Sequence, residues 1–275
     1  MKKNRTNIIL VIIFFIGLSV MLYPSFSNYW NSRVQSQAVA SYNNEVQKMS
    51  KQDYETMFNE ADEYNSTLQK LSNPFLDYES ISNYEDVLNI SGTGIMGYVT
   101  IDKIDCELPI YHGTSEGVLQ IGVGHLGGTS LPVGGIGTHS VLSAHRGLAS
   151  AELFSNLDKM EEGDTFQITV LNRVLTYQVD QIRIVEPEDT SDLQVDPDKD
   201  YCTLMTCTPY GINTHRLLVR GVRVDGDLNT YVPTDAYQVS TNVVAVITSL
   251  VLVTLLLIIP VIVKAVKRLR KKMKS

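Results

Sequence analysis

Long apolar runs lie near both ends of the chain, from Ile8 to Tyr23 and from Val243 to Val263. A helix that crosses a membrane needs about 20 apolar residues, so the second run predicts a transmembrane helix. The first run is shorter and would also suit a signal peptide. No small-residue cleavage site follows it, which favours an uncleaved anchor.

Between these runs the hydrophobic period changes once. From Trp30 to Leu71 the chain has few glycines or prolines, and its apolar residues recur at a loose helical spacing. This pattern predicts one or two helices. Pro74 interrupts the pattern, because proline disfavours the continuation of a helix. A further short helix is expected from Tyr84 to Asn89.

From Gly97 onward, apolar and polar residues alternate over short runs, which is typical of β-strands. Strands are predicted at Gly97–Ile101, Leu108–Tyr111, Thr138–Ala144, Thr165–Leu171 and Val174–Val185, followed by a hairpin over Thr203–Arg220. Short helices are predicted at Ser115–Ile121 and Ala151–Met160. Seven or eight strands with little helix predict a mainly β domain, either a barrel or a sandwich.

These patterns divide the chain into four predicted parts. Residues 1–29 form a basic end and a membrane anchor, and residues 30–91 form a helical segment. Residues 92–228 form the β domain. Residues 229–275 form a polar link, a second transmembrane helix and a basic tail.

The charge distribution predicts how the chain is oriented in the membrane. Three basic residues lie among the first five, seven lie in the tail from Lys264, and neither end carries an acid. Positively charged flanks stay in the cytoplasm, so both termini are expected inside and the middle outside. Removing these ten from the 23 basic residues leaves 13 against 30 acidic residues, a balance of −17. An exterior this acidic argues against a nucleic-acid partner.

The hairpin over Thr203–Arg220 brings two chemically active residues together. Pro209, Gly211 and Asn213 mark its turn. Facing residues of an antiparallel pair have a constant index sum, so a turn centred between residues 211 and 212 places Cys207 opposite Arg216. A thiol is a nucleophile, and a guanidinium can stabilise an oxyanion. The pairing therefore indicates catalysis.

The chain has three cysteines, Cys106, Cys202 and Cys207, so at least one thiol is free. Cys202 and Cys207 lie five residues apart on one predicted strand, so their side chains point to opposite faces and should not pair. Cys106 and Cys202 are interpreted as small buried apolar residues. No paired C-x-x-C motif is present, and neither a metal nor another cofactor is expected.

Cysteine catalysis also needs a proton donor, and five histidines are candidates: His112, His125, His139, His145 and His215. His145 is favoured because it follows a predicted strand, at a rim where it can face a neighbouring strand end. His215 should point away from its neighbour Arg216, and His139 lies far down its strand. The spacing alone leaves a structural role for His145 open.

The segments Gly134–Gly147 and Thr203–Gly221 together resemble the sortase family. The most specific part is Thr-Leu-Met-Thr-Cys-Thr-Pro-Tyr-Gly followed by Asn-Thr-His-Arg, and Leu108–Thr114 and Gly124–Leu126 add to it. The resemblance extends from about Gly92 to Val224. It is greatest to the class C, pilus-assembling sortases of Gram-positive bacteria, which typically carry a second, C-terminal transmembrane helix. It implies a closed, sortase-like β-barrel.

The resemblance also implies a role for each candidate catalytic residue. Cys207 would be the nucleophile, His145 the general acid and base, and Arg216 the group that stabilises the oxyanion and orients the substrate. The reaction would cleave an LPXTG-like sorting signal of a pilin, form a thioacyl-enzyme, and transfer the acyl group to a lysine of the next pilin. The enzyme would work at the cell membrane with its catalytic domain outside.

Class C sortases commonly cover the active site with a lid that carries an Asp-Pro-aromatic motif, and this chain departs from it. The corresponding stretch offers Asn73, Pro74 and Phe75, then Asp77 and Tyr78. Asn73 lacks the carboxylate that could bind Arg216, and Asp77 lacks the following proline. Asn73, Phe75, Asp77 and Tyr78 are the lid candidates, with a surface linker as the alternative.

Other functions remain as alternatives. A cell-wall-anchoring sortase would use a peptidoglycan amine as acceptor. A papain-like protease places its cysteine before its histidine, which is the reverse of the order here. A zinc-binding membrane protein would need Cys202, Cys207 and His215 on one face, and strand parity separates them. The non-enzymatic alternative is a catalytically inactive membrane-anchored scaffold.

Overall fold

A computed structural model of the protein describes residues 2–90, 92–224 and 249. The predicted C-terminal transmembrane helix, its polar link and the basic tail lie outside these residues, apart from Ser249. The described residues fall into two units, one ending at Phe26 and the other beginning at Ser27.

The N-terminal part is helical, as the apolar spacing predicts. Helix α1 runs over Lys2–Lys48. It is the one helix in the described part of the chain that is long and apolar enough to cross a membrane, with a mean hydropathy of 1.7 in its most apolar window. Helix α2, Lys51–Leu68, begins with a capping box between Ser50 and Asp53. Short helix α3, Pro74–Asp77, has its proline in the first turn, where no amide hydrogen bond is lost.

The rest of the chain forms eight strands with short helical turns. The strands are β1 Ile95–Ile101, β2 Cys106–His112, β3 Val123–His125, β4 Thr138–Ser143, β5 Thr165–Val170, β6 Arg173–Val185, β7 Asp200–Thr208 and β8 His215–Arg223. Helix α4, Glu116–Ile121, is capped by the Ser115 side chain. Short 3-10 turns lie at Tyr78–Ser80, Asp102–Ile104, Leu157–Lys159 and Ser191–Leu193.

The strands close into a barrel in the order β1-β2-β3-β4-β7-β8-β6-β5. The pairs β2–β3 and β4–β7 are parallel, and the other pairs are antiparallel. The prediction of a mainly β domain with seven or eight strands is confirmed, and the barrel is the correct alternative. The core fills the barrel with alternating inward residues such as Val99, Ile101, Ile168 and Leu204.

Two predicted helices were wrong. Over Ala151–Met160 only Leu157–Lys159 is helical. The Phe154 amide donates a hydrogen bond to the His145 carbonyl oxygen rather than to a residue one turn back. Residues 84–88 form turns rather than a helix, Asn89 has no regular structure, and Leu88 has a φ of 64°. In both segments burial of apolar side chains overrides local helical spacing.

The β domain is joined to α1 through Tyr42, which is 2% exposed. Its hydroxyl donates to the Met96 carbonyl oxygen at 3.0 Å and accepts from the Leu171 amide at 2.8 Å. Met96 lies where the β1–β2 register shifts, and Leu171 lies in the turn after β5. One hydroxyl thus satisfies two backbone groups at irregular points of the barrel.

Tyr42→Phe should therefore lower the free energy of unfolding by about 1–3 kcal/mol, because two buried backbone groups lose their partner. Urea denaturation of the full chain in detergent measures this. Tyr98→Phe is the matched control, because the Tyr98 ring packs on Tyr42 and its hydroxyl has no hydrogen bond within the described residues. Equal effects of the two substitutions would contradict this interpretation of Tyr42.

Candidate active site

The end of the β7–β8 hairpin carries a cysteine and an arginine in direct register. Cys207 is paired with Arg216, and Thr208 with His215. The predicted pairing is confirmed. Both Cys207 and Arg216 are half-buried, so the thiol and the guanidinium reach solvent at one rim of the barrel.

His145 reaches the same rim from the other side of β7. Strands β4 and β7 are parallel, with Ser143 beside Met205. The pairing continues past the end of β4, because the Ala144 amide donates to the Met205 carbonyl oxygen at 3.1 Å and Thr206 Oγ1 donates to the Ala144 carbonyl oxygen at 2.7 Å. His145 is the next residue, so it leaves β4 at the end of β7 that carries Cys207.

The His145 ring is oriented next to a carboxylate that the sequence did not reveal. Its Nε2 atom is buried and lies 3.5 Å from Glu116 Oε2. Nε2 has no hydrogen-bond partner within the described residues. Glu116 accepts a hydrogen bond from Gln120 at 3.0 Å, and this bond and the nearby His145 lower the pKa of the Glu116 carboxyl. In the sequence, the only sign of a role for Glu116 is its position in the first turn of the predicted helix α4.

Three other histidines are structural. His112, His125 and His139 are buried, and each of their ring nitrogens lies within 3.0 Å of a hydrogen-bonding partner. Burial lowers the pKa of His125 to about 4, and burial also lowers the pKa of His139. These rings are fixed and not free to exchange protons with a substrate.

The fifth histidine belongs to a surface pair. His215 lies next to Arg216 along β8, so its side chain points to the opposite face. Its Nε2 atom is 3.3 Å from Glu186 Oε1, and its Nδ1 atom is 2.9 Å from Thr214 Oγ1.

The other two cysteines are core residues. All three thiols are free, and Cys106 and Cys202 are buried. Burial raises the pKa of Cys106 to about 12 and raises that of Cys202 well above its usual value. Within residues 2–90 and 92–224, no group of three His, Cys, Asp or Glu side chains is arranged to hold a metal ion.

A groove of about 340 Å³ leads to Arg216. Its apolar lining comes from the side chains of Phe75, Leu126, Val185, Leu193, Met205 and Leu218. Tyr78 and Asp189 complete its wall near the loop between β6 and β7. An apolar groove with one guanidinium at its end suits an extended peptide with small apolar side chains.

The two aromatic lid candidates lie at this groove, where Phe75 packs against the cluster of Val141, Leu193 and Leu218. The backbone of Pro74 and Phe75 lies close to Gly128. A Cβ atom on Gly128 would be 2.7 Å from both the Phe75 Cα atom and the Pro74 carbonyl oxygen. The Tyr78 ring lies directly over Gly127 in the same way.

The two polar lid candidates are not brought to Arg216. The Asn73 side chain makes no capping hydrogen bond. Arg216 Nη1 donates instead to the carbonyl oxygens of His215 at 3.2 Å and Asn213 at 3.5 Å. Within the described residues, neither Asn73 nor Asp77 forms a hydrogen bond or ion pair with Arg216.

Comparison with known proteins agrees with this geometry. A family model described as the sortase domain matches residues 99–224. The chain is 32% identical over 131 residues to sortase D of Bacillus subtilis and 30% identical over 146 residues to sortase A of Streptococcus agalactiae. These matches cover 46% and 50% of this chain, and 63% and 58% of the lengths of the two relatives.

Solved structures match more of the chain. Sortase C1 of Streptococcus agalactiae is 52% identical, with a TM-score of 0.63 over 70% of this chain and 100% of that one. Sortase C of Streptococcus pneumoniae is 47% identical, with a TM-score of 0.63 over 69% of this chain and 97% of that one. Sortase C of Clostridium perfringens, solved with the C-terminal cell wall sorting motif, is 42% identical, with a TM-score of 0.61 over 70% of this chain and 100% of that one.

The barrel, the matched domain and structural neighbours at 40–52% identity agree with one another. The chain belongs to the sortase family, and within it to the class C sortases.

Proposed function

We propose that the protein is a cysteine transpeptidase that joins pilin subunits. The observation that supports this proposal most is the register of Cys207 with Arg216 at one rim of the barrel, where the chain that carries His145 leaves β4. Arg216 also lines an apolar groove. A nucleophile, a proton carrier and an oxyanion stabiliser are the groups that acyl transfer through a cysteine requires.

In the first half of the proposed reaction, the Cys207 thiol gives its proton to His145, and Sγ attacks the threonine carbonyl carbon of an LPXTG-like sorting signal. Arg216 stabilises the negative oxygen of the tetrahedral intermediate. The threonine–glycine bond breaks, His145 donates a proton to the leaving amine, and a thioester to Cys207 remains. The groove lining of Leu126, Leu193 and Leu218 suits the leucine and proline of such a signal.

In the second half, a lysine ε-amine of the next pilin attacks the thioester carbon. His145 accepts a proton from the amine, the carbon–sulfur bond breaks, and Cys207 is regenerated. The product is an isopeptide bond. The thioester keeps enough acyl free energy for an amine to react with it, so no nucleotide is consumed.

The membrane location follows from the N-terminal helix. This apolar helix fits a membrane anchor. With the second transmembrane helix predicted over Val243–Val263, the proposed topology places the barrel outside the cell and both termini inside. Pilins are themselves tethered before assembly, so anchoring the enzyme raises the effective concentration of both substrates.

A cell-wall-anchoring activity is the second candidate, because the same three residues could form the thioester and pass it to a peptidoglycan amine. The class C neighbours, at 40–52% identity, favour the pilin acceptor. The two candidates share the first half-reaction and differ only in the amine that attacks the thioester.

The segment of residues 73–78 is proposed to be the cover of the groove. It is held by close backbone packing on Gly127 and Gly128 rather than by a carboxylate on Arg216. Phe75 is the candidate that fills the groove, and Tyr78 is the one that fixes the segment to the barrel.

Cys207→Ala should abolish pilin polymers while the chain stays folded, because no other described thiol lies at the rim. Immunoblotting of cell-wall extracts from a strain without a second pilin sortase measures the polymers. Cys106→Ala is the control and should leave them intact, because Cys106 lies in the core. Persistent polymers with Cys207→Ala would reject the assignment.

Arg216→Lys should lower kcat/KM for a sorting-signal peptide by about 10²-fold or more. The lysine ammonium group cannot reproduce the two parallel N–H donors of the planar guanidinium. The rate of peptide cleavage by the full chain in detergent measures this effect. A rate close to wild type would remove Arg216 from the proposed mechanism.

Gly128→Ala should speed the alkylation of Cys207 by a bulky maleimide severalfold, because the new methyl group displaces Pro74 and Phe75. Gly163→Ala is the matched control. Both glycines have positive φ angles, 84° and 96°, but nothing lies within 4 Å of a Cβ atom at Gly163. Alkylation that is equally fast in the two variants would show that residues 73–78 do not cover the site.

A further inference from the structure

We infer that Arg146 is a positioning residue that holds the His145 loop and the Cys207 strand end at a fixed separation. The inference rests on the proposed function, because it concerns the geometry of the same two residues. Arg146 has no assigned part in the chemistry above and is absent from the lining of the groove.

Arg146 is the residue after His145, and its side chain is only 8% exposed. Its guanidinium makes three different contacts. Nη1 donates to Thr208 Oγ1 at 3.1 Å, Nη2 lies 2.6 Å from Asp158 Oδ2, and Cζ lies 5.9 Å from the centre of the Tyr210 ring.

These contacts join segments that the barrel leaves unconnected. Strand β4 ends at Ser143, and its pairing with β7 continues only to Ala144. Beyond that point, Thr208 directly follows Cys207, and Tyr210 lies in the loop to β8. One guanidinium therefore bridges from the neighbour of His145 to the neighbour of Cys207.

Asp158 makes this bridge rigid. It lies in the short turn Leu157–Lys159, whose apolar neighbours Phe154 and Leu157 are fully buried. The Asp158 side chain is 47% exposed, but its backbone belongs to a turn packed on the core, so the carboxylate holds the Arg146 head through a charge-assisted contact. The position of His145 is then tied to the core as well as to β4.

The energetic cost of this arrangement argues against a simple packing role. Arg146 Nε is buried and has no hydrogen-bond partner within the described residues. Desolvating a guanidinium with one unsatisfied donor is costly, and an apolar side chain would fill the same space without that cost. The planar guanidinium of Arg146 contacts Thr208 and Asp158 at the same time, which a lysine ammonium group cannot do.

The barrel supplies a matched control in Arg220. Its Nε and Nη2 atoms donate to Asp180 at 3.1 and 2.8 Å, and its Cζ lies 4.2 Å from the centre of the Tyr201 ring. Arg220 therefore has a carboxylate and an aromatic partner like those of Arg146. It pairs with Thr203, four residues before Cys207 along β7, so it does not bridge the rim.

The first experiment compares Arg146→Lys and Arg220→Lys in the full chain in detergent. Arg146→Lys should lower kcat for peptide cleavage by about 10-fold or more with KM within about twofold, because small misplacements of reacting groups are costly. Arg220→Lys should leave both constants at the wild-type values. Unchanged kcat for Arg146→Lys would overturn the inference.

Chemical rescue separates positioning from folding. Millimolar guanidinium ion should restore a large part of the kcat of Arg146→Ala, because it can occupy the site between Asp158 and Thr208. Failure of guanidinium to rescue a folded Arg146→Ala would contradict the inference. If that variant does not fold, Thr208→Val removes one contact with little change in shape, and it should lower kcat severalfold. Wild-type kcat in Thr208→Val would contradict the bridge.

A second measurement does not depend on the proposed substrate. Iodoacetamide should react with Cys207 several times more slowly in Arg146→Lys than in wild type, because the reactivity of a thiol depends on a correctly placed neighbouring base. The other two cysteines are buried, so alkylation reports on Cys207. If the wild-type chain cleaves no sorting peptide, the proposed function fails. If alkylation is as fast in Arg146→Lys as in wild type, the positioning role fails.

Discussion

The pairing of β7 with a different strand on each side is the constraint on which the site depends. On one side the antiparallel register with β8 sets Cys207 opposite Arg216. On the other side the parallel register with β4 leads to His145. A slip of one residue in either pairing would turn a side chain to the other face of the barrel. Closure of the barrel, with its core on the inner face, prevents such slips.

Burial then decides which of the similar residues can act. The chain has three cysteines and five histidines, but the described structure buries Cys106, Cys202, His112, His125 and His139. Their side chains serve the core or bond to neighbouring polar groups. Cys207 and His145 are left partly exposed at one rim. The proposed chemistry therefore depends on exposure at the strand ends as much as on residue type.

Much of the site could be predicted from the sequence, because the position of a hairpin turn determines which residues of its two strands face each other. The turn residues fixed the hairpin centre and thereby the Cys207–Arg216 pair. The helix expected over Ala151–Met160 was wrong, because the Phe154 amide donates to the carbonyl oxygen of His145, nine residues earlier, and not to one in a preceding helical turn. Glu116 and Arg146 were not anticipated, since their partners lie far away along the chain. For the same reason, the packing of Phe75 on Gly128 could not be derived from spacing.

The most direct test of the account is to locate the acyl group during turnover. The full chain in detergent is incubated with an LPXTG-type peptide and no acceptor amine, then digested and mapped by tandem mass spectrometry. The account predicts a hydroxylamine-sensitive mass increase on the fragment that contains Cys207 and none on Cys106 or Cys202. Peptide cleavage with the adduct on another residue, or with no covalent adduct under conditions that preserve thioesters, would contradict it.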